Sequence, residues 1–146
     1  MSAKFDEANK FFAHLSGGPV LHIKFEFNIG MLLSGIMACL DQKKNVPIEI
    51  RIFNSIDDSE DRIISNLAHE YVHAKQFWEG RLKIEEDPED KNHAFSLWNK
   101  KEIIEMHKSR PHEEYLNWPW EVEARQLSRE WVIQFNRFWR ELNCSK

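Results

Sequence analysis

His69-Glu70-Tyr71-Val72-His73 places two imidazoles four positions apart with a carboxylate beside the first, inside a stretch, residues 58–78, that contains neither glycine nor proline. On an α-helix, residues four apart share a face, so His69 and His73 can offer their rings to a single ion. Glu70 stands about 100° further round and can reach a water on that ion without binding the ion itself. The stretch carries the marks of such a helix. Asp57, Asp58, Glu60 and Asp61 suit its N-terminus, Asp58 or Ser59 is the N-cap, and Gly80 is the stop. Ile64, Leu67, Ala68, Tyr71, Ala74 and Trp78 recur at three- and four-residue steps and form one buried stripe. The histidines fall on roughly the opposite face, beside Asn66 and Gln76, so one side can anchor the helix while the other lines a polar cleft. The chain holds seven histidines and is rich in glutamate, so the five-residue pattern draws its weight from this helical context.

Two histidines do not complete a tight metal site; a third protein ligand and an open position for water are needed. The region Trp118-Pro119-Trp120-Glu121-Val122-Glu123-Ala124-Arg125 offers two carboxylates. Pro119 suits the first turn of a helix, and Trp120, Ala124, Leu127, Trp131, Phe135, Phe138 and Leu142 then make a second apolar stripe. Glu121 and Glu123 lie on opposite shoulders of that stripe, each about 80° from its centre. Geometry alone leaves both open.

The pairing of an HExxH helix with a later helix carrying Glu-x-Glu-Ala resembles the gluzincin branch of the zincin-like metallopeptidases. More narrowly, His69 to Gln76, then Trp98-Asn99-Lys100-Lys101, then Tyr115 and Pro119-Trp120-Glu121-Val122-Glu123-Ala124, is similar to small HExxH proteins encoded by bacteriophages. The likeness begins at the HExxH helix, and residues 1–50 add little to it. It implies Glu121 as the third ligand, with Glu123 as the alternative. A metzincin-like pattern would instead put the third ligand at Glu79, but needs a glycine where Gln76 stands. The chain departs from related zincins at position 125, where Arg125 replaces a supporting Asp or Asn. Arg125 can still pair with Glu121 or another carboxylate.

What the resemblance implies chemically is a Zn2+ ion held by His69, His73 and Glu121, acidifying a water towards a pKa of about 7. Glu70 is then the general base that takes the water's proton and delivers it to the leaving amine. Related peptidases also set a Tyr or His near the developing oxyanion; Tyr115 is the first choice here and His112 the second, both preceding the Glu121 helix. His14, His22, His93 and His107 have no spacing that recommends them. The expected function is a zinc metallopeptidase acting on a protein or peptide, bound in related enzymes as an added strand. Two alternatives are a zinc-binding interaction module without turnover, and an SprT-like peptidase acting on DNA-associated proteins.

With 146 residues, 42% of them hydrophobic, the chain suits one domain, residues 1–146, around one core. A net charge of -4 with interspersed signs argues against a surface built for nucleic-acid phosphates. Arg125, Arg129, Arg137 and Arg140 share the last helix with Glu130 and Glu141, which makes a mixed solvated face. Cys39 and Cys144 fit no metal or redox spacing, and two free thiols in a reducing cytoplasm account for them simply. The N-terminus lacks the regions of a signal peptide. The longest apolar stretch, residues 29–40, contains Gly30, Ser34 and Gly35 and falls short of the roughly 20 residues of a membrane span. It reads as a buried helix or an irregular core segment. The expected location is the cytoplasm, of a host cell if the gene is phage-borne.

Residues 5–15 read as a short amphipathic helix ended by Ser16-Gly17-Gly18-Pro19. Residues 20–28 alternate, with Leu21, Ile23, Phe25 and Phe27 on one face, and Ile48, Ile50 and Ile52 mark a second strand. Residues 81–85 suggest a short strand, and residues 94–98 and 102–106 a hairpin. Residues 108–117 read as a loop, and the last helix runs over 119–142. The order is α+β; the zincin resemblance implies a small mixed or antiparallel sheet packed on the HExxH helix and on a C-terminal helix bearing the third ligand.

Overall fold

In the computed structural model, residues 2–27, 35–41, 46–54, 59–86, 89, 93–99, 102–107 and 116–144 are described. Helix α1 (Ala3–Ser16) is followed by strands β1 (His22–Phe27), β2 (Gly35–Asp41) and β3 (Val46–Asn54), then by helix α2 (Glu60–Trp78). Strands β4 (Leu82–Glu86), β5 (His93–Trp98) and β6 (Glu102–His107) lead to the final helix, α3 (Pro119–Cys144). The fold is α+β, with two three-stranded sheets among the described residues.

The first sheet has the order β1-β3-β2, and it is mixed: β3 lies between β1, to which it is parallel, and β2, to which it is antiparallel. Ile50 and Ile52 on the central strand are fully buried, while Glu49 and Arg51, which alternate with them, are half-buried, and the Arg51 guanidinium donates to Glu49. The second sheet is an antiparallel meander in the order β4-β5-β6.

Strand β2 corrects the sequence reading of residues 29–40, whose second half is a strand, irregularly paired, and not a buried helix. A short apolar run does not declare its own period. Here the pairing with β3 decides, and two register shifts, between Ile36 and Cys39 and between Cys39 and Leu40, break the alternation that would have marked a strand. Residues 28–34 lie outside the described residues.

Local chemistry explains the helix boundaries. Ser2 caps α1 by accepting from the Phe5 amide at 3.1 Å, and Gly17, at φ 81°, closes it in the left-handed region. Ser59 caps α2 by accepting from the Arg62 amide at 3.2 Å. At the far end the Gly80 amide reaches Phe77 O, and the φ of 73° at Gly80 turns the chain so that the Arg81 amide reaches Gln76 O, each at 3.0 Å. Those bonds occupy carbonyls that a helix end otherwise leaves bare, and they aim the chain directly into β4.

Helix α2 is the hub. It packs against α1, α3, β3 and β2 and touches β4. Its stripe of Ile64, Leu67, Ala68, Tyr71 and Ala74 is buried with Phe12, Ile50, Ile52, Trp131 and Phe135. Tyr71, between the two histidines in sequence, is fully buried on the core side. Its hydroxyl accepts from the Leu21 amide at 3.0 Å and donates to Asn9 Oδ1, joining α2 to α1 and to the start of β1. Burial, offset in part by the Leu21 bond, pushes the Tyr71 pKa up to about 12, so it stays a neutral donor. Phe77, Leu82, Trp98 and Trp120 form a second, smaller cluster between the meander and the first turn of α3. Among the described residues, no helix is long and apolar enough to cross a membrane.

Candidate metal centre

Packing α3 across α2 brings Glu121 to the two histidines. Its Oε2 lies 3.1 Å from His69 Nε2 and its Oε1 2.9 Å from His73 Nε2, while the two Nε2 atoms are 3.2 Å apart. Two ligand atoms held about 2.0–2.1 Å from a tetrahedral ion stand about 3.3 Å apart. The nearest donor separations are within a few tenths of an ångström of that value, with the carboxylate turning a different oxygen to each histidine. Two imidazoles and a carboxylate form a group that could hold a metal ion. Side-chain exposure is 22% at His69 but 9% at His73 and 5% at Glu121, so the cluster opens to solvent on the His69 side.

The electrostatics follow from that packing. Burial opposes a charge on His73, but the hydrogen bond and negative charge of Glu121, the charge of Glu70 and a bond from Gln76 outweigh it and raise its pKa to about 9. Burial likewise opposes a charge on Glu121, yet its bonds to His69 and His73 hold its carboxyl well below the usual carboxylate range. Without metal, then, the core of the site is an ion pair. Its contribution to stability is present above the ordinary carboxylate value of 4.5 and below the ordinary imidazole value of 6.5, and is lost as pH rises from there through about 9. We expect the Tm of metal-free protein to fall between pH 6.5 and 9 by more than that of Glu121→Gln, measured side by side by calorimetry; equal slopes would show that the pair contributes nothing.

Glu70 is 6% exposed and close enough to His73 to act on its charge. Glu123, the other candidate ligand, is not among the clustered donors. Arg81 grips it with two bonds, Nη1 to Oε2 at 2.8 Å and Nη2 to Oε1 at 2.6 Å, and holds its carboxyl below the ordinary range. Glu79 is engaged by Lys75 and Arg81 and is not among the clustered donors. The Arg125 guanidinium donates to Leu116 O at 2.6 Å, a backbone carbonyl ahead of α3, and not to Glu121. Tyr115 and His112 lie outside the described residues.

Sequence reasoning placed Gln76 beside the histidines without giving it a task. It is fully buried, and its Oε1 accepts from His73 Nδ1 at 2.8 Å. Its Nε2 donates to Trp120 O at 3.0 Å and to Glu123 Oε1 at 3.2 Å. The signal was available: position 76 is one turn beyond His73, and an amide carries both an acceptor and donors. Comparison with known protein families, characterised proteins and solved structures returns no match. The chemistry of the site therefore rests on its own geometry.

Proposed function

We propose that the chain is a zinc-dependent peptidase of zincin-like build, with His69, His73 and Glu121 as ligands and Glu70 as general base. The observation that carries the reading is the meeting of Glu121, from a helix fifty residues downstream in sequence, with both histidines of the HExxH helix. Nitrogen and carboxylate donors at this count suit zinc and leave a coordination position free. Bound there, zinc supplies Lewis acidity and an acidified water. Glu70, held in a buried position beside the ligands, would accept a proton as the water oxygen adds to the peptide carbonyl carbon, and would deliver it to the amine nitrogen as the C–N bond breaks. His69, the least buried member of the trio, marks the side on which a peptide would enter.

A second reading, a zinc-binding module without turnover, draws support from Arg125, which braces the backbone before α3 where an acid or amide would brace a ligand. One experiment separates the two. Protein purified without added metal or a polyhistidine tag is analysed for its metal, then incubated with a broad library of unstructured peptides, with and without a chelator. We expect about one zinc per chain and cleavage that the chelator abolishes. Zinc without cleavage of any peptide would favour the module, and no zinc even when it is offered would overturn both.

A further inference from the structure

The two ligand-bearing helices meet at one side chain. Gln76 bonds to His73 on α2 and to the carbonyl of Trp120, the residue immediately before Glu121 on α3. Its orientation is dictated by its surroundings. Its nitrogen faces two acceptors, Trp120 O and a Glu123 carboxylate oxygen, so its oxygen must face His73 Nδ1. That ring nitrogen must then carry a hydrogen, which leaves Nε2, directed at Glu121, as the atom available to an ion. The amide is fixed from behind as well. Glu123 is clamped by the Arg81 guanidinium, whose carbon lies 5.2 Å from the centre of the Trp98 ring. Arg81 immediately follows the Gly80 turn that ends α2.

We propose that Gln76, backed by Glu123 and Arg81, is a positioning residue that sets the site's metal affinity by holding the second and third ligands at once. It selects the ring atom His73 presents and pins the first turn of α3 so that Glu121 arrives at the same point. Partners of this kind tune metal affinity by about 10- to 100-fold when removed. This inference rests on the metal-site reading above.

The test is zinc affinity by chelator competition in wild type, Gln76→Leu, Gln76→Asn and Gln76→Glu, together with the Tm of each protein with and without zinc. Leucine removes every bond, whereas asparagine keeps the polarity but is too short to span His73 and Trp120. Both should weaken zinc binding by about 10- to 100-fold. Glutamate keeps the acceptor for His73 Nδ1–H but cannot donate to Trp120 O and sets a second carboxylate against Glu123, so it too should weaken zinc binding by about 10-fold or more. A purely structural role would lower Tm equally with and without metal; a positioning role reduces the rise in Tm that zinc produces. Zinc bound as tightly by Gln76→Asn or Gln76→Leu as by wild type would overturn this inference alone. Failure of wild type to bind zinc would overturn the metal-site reading with it.

Discussion

Glu70→Gln should stop hydrolysis while zinc stays bound. Glu70 is buried beside His73, so an amide of the same shape fits the space without disturbing α2, and it is not one of the three clustered donors. What it removes is the group that can take a proton. Loss of a positioned general base costs typically 10²- to 10⁴-fold in rate, so turnover should drop at least into that range at unchanged zinc content. The measurement is kcat on a peptide cleaved by wild type, beside elemental analysis of the same preparations. Undiminished turnover would remove Glu70 from the mechanism. Loss of zinc would mean instead that Glu70 supports the ligands, a role compatible with its influence on His73.

Glu121→Ala and Glu123→Ala, two positions apart on α3, should behave oppositely. Without Glu121, His73 and His69 lose their shared carboxylate, and an ion there would keep two protein ligands. If a ligand supplies roughly a quarter to a third of the binding free energy of a structural zinc, its loss weakens binding by more than about a hundredfold. Glu123→Ala spares the three clustered donors and strips Arg81 of its two-pronged partner. Both side chains are about 30% exposed, so the expected cost is about 1–2 kcal/mol of stability, with zinc retained and its affinity lowered severalfold at most. Isothermal titration with zinc and thermal melts of both variants decide the matter. Zinc kept in Glu121→Ala and lost in Glu123→Ala would move the third ligand by two residues.

The contrast between those glutamates shows where the sequence stopped being readable. Both sit at similar angles from the apolar stripe of α3, so helical geometry alone gave no choice. What separates them is which neighbour each meets: the histidines of α2 on one side, and Arg81 just past the Gly80 turn on the other. That is tertiary information, fixed by how Trp120, Ala124, Trp131 and Phe135 seat α3 against the rest of the core. Features set by local chemistry were legible. Ser59 and Gly80 bound α2 because a hydroxyl satisfies an orphan amide and a glycine accepts a left-handed turn. The strand at Gly35–Asp41 was not legible, because its irregular pairing with β3 leaves no two-residue period. Gln76 was seen but not understood, since its value lies in two partners from different helices.

Burial on almost every side of α2 sets how an ion could leave. Among the described residues, that helix is packed on α1, α3 and the first sheet and pinned through Tyr71, which opposes its peeling away. The last turns of α3, beyond Phe135, are largely exposed, so that helix can fray from its far end without disturbing Glu121 in its first turn. Release must therefore proceed either by ligand exchange through the opening beside His69 or by separation of the two helices. The second route is close to unfolding the core. The amides of α2 should accordingly be among the slowest in the chain to exchange with deuterium, and helix separation should be about as rare as their exposure.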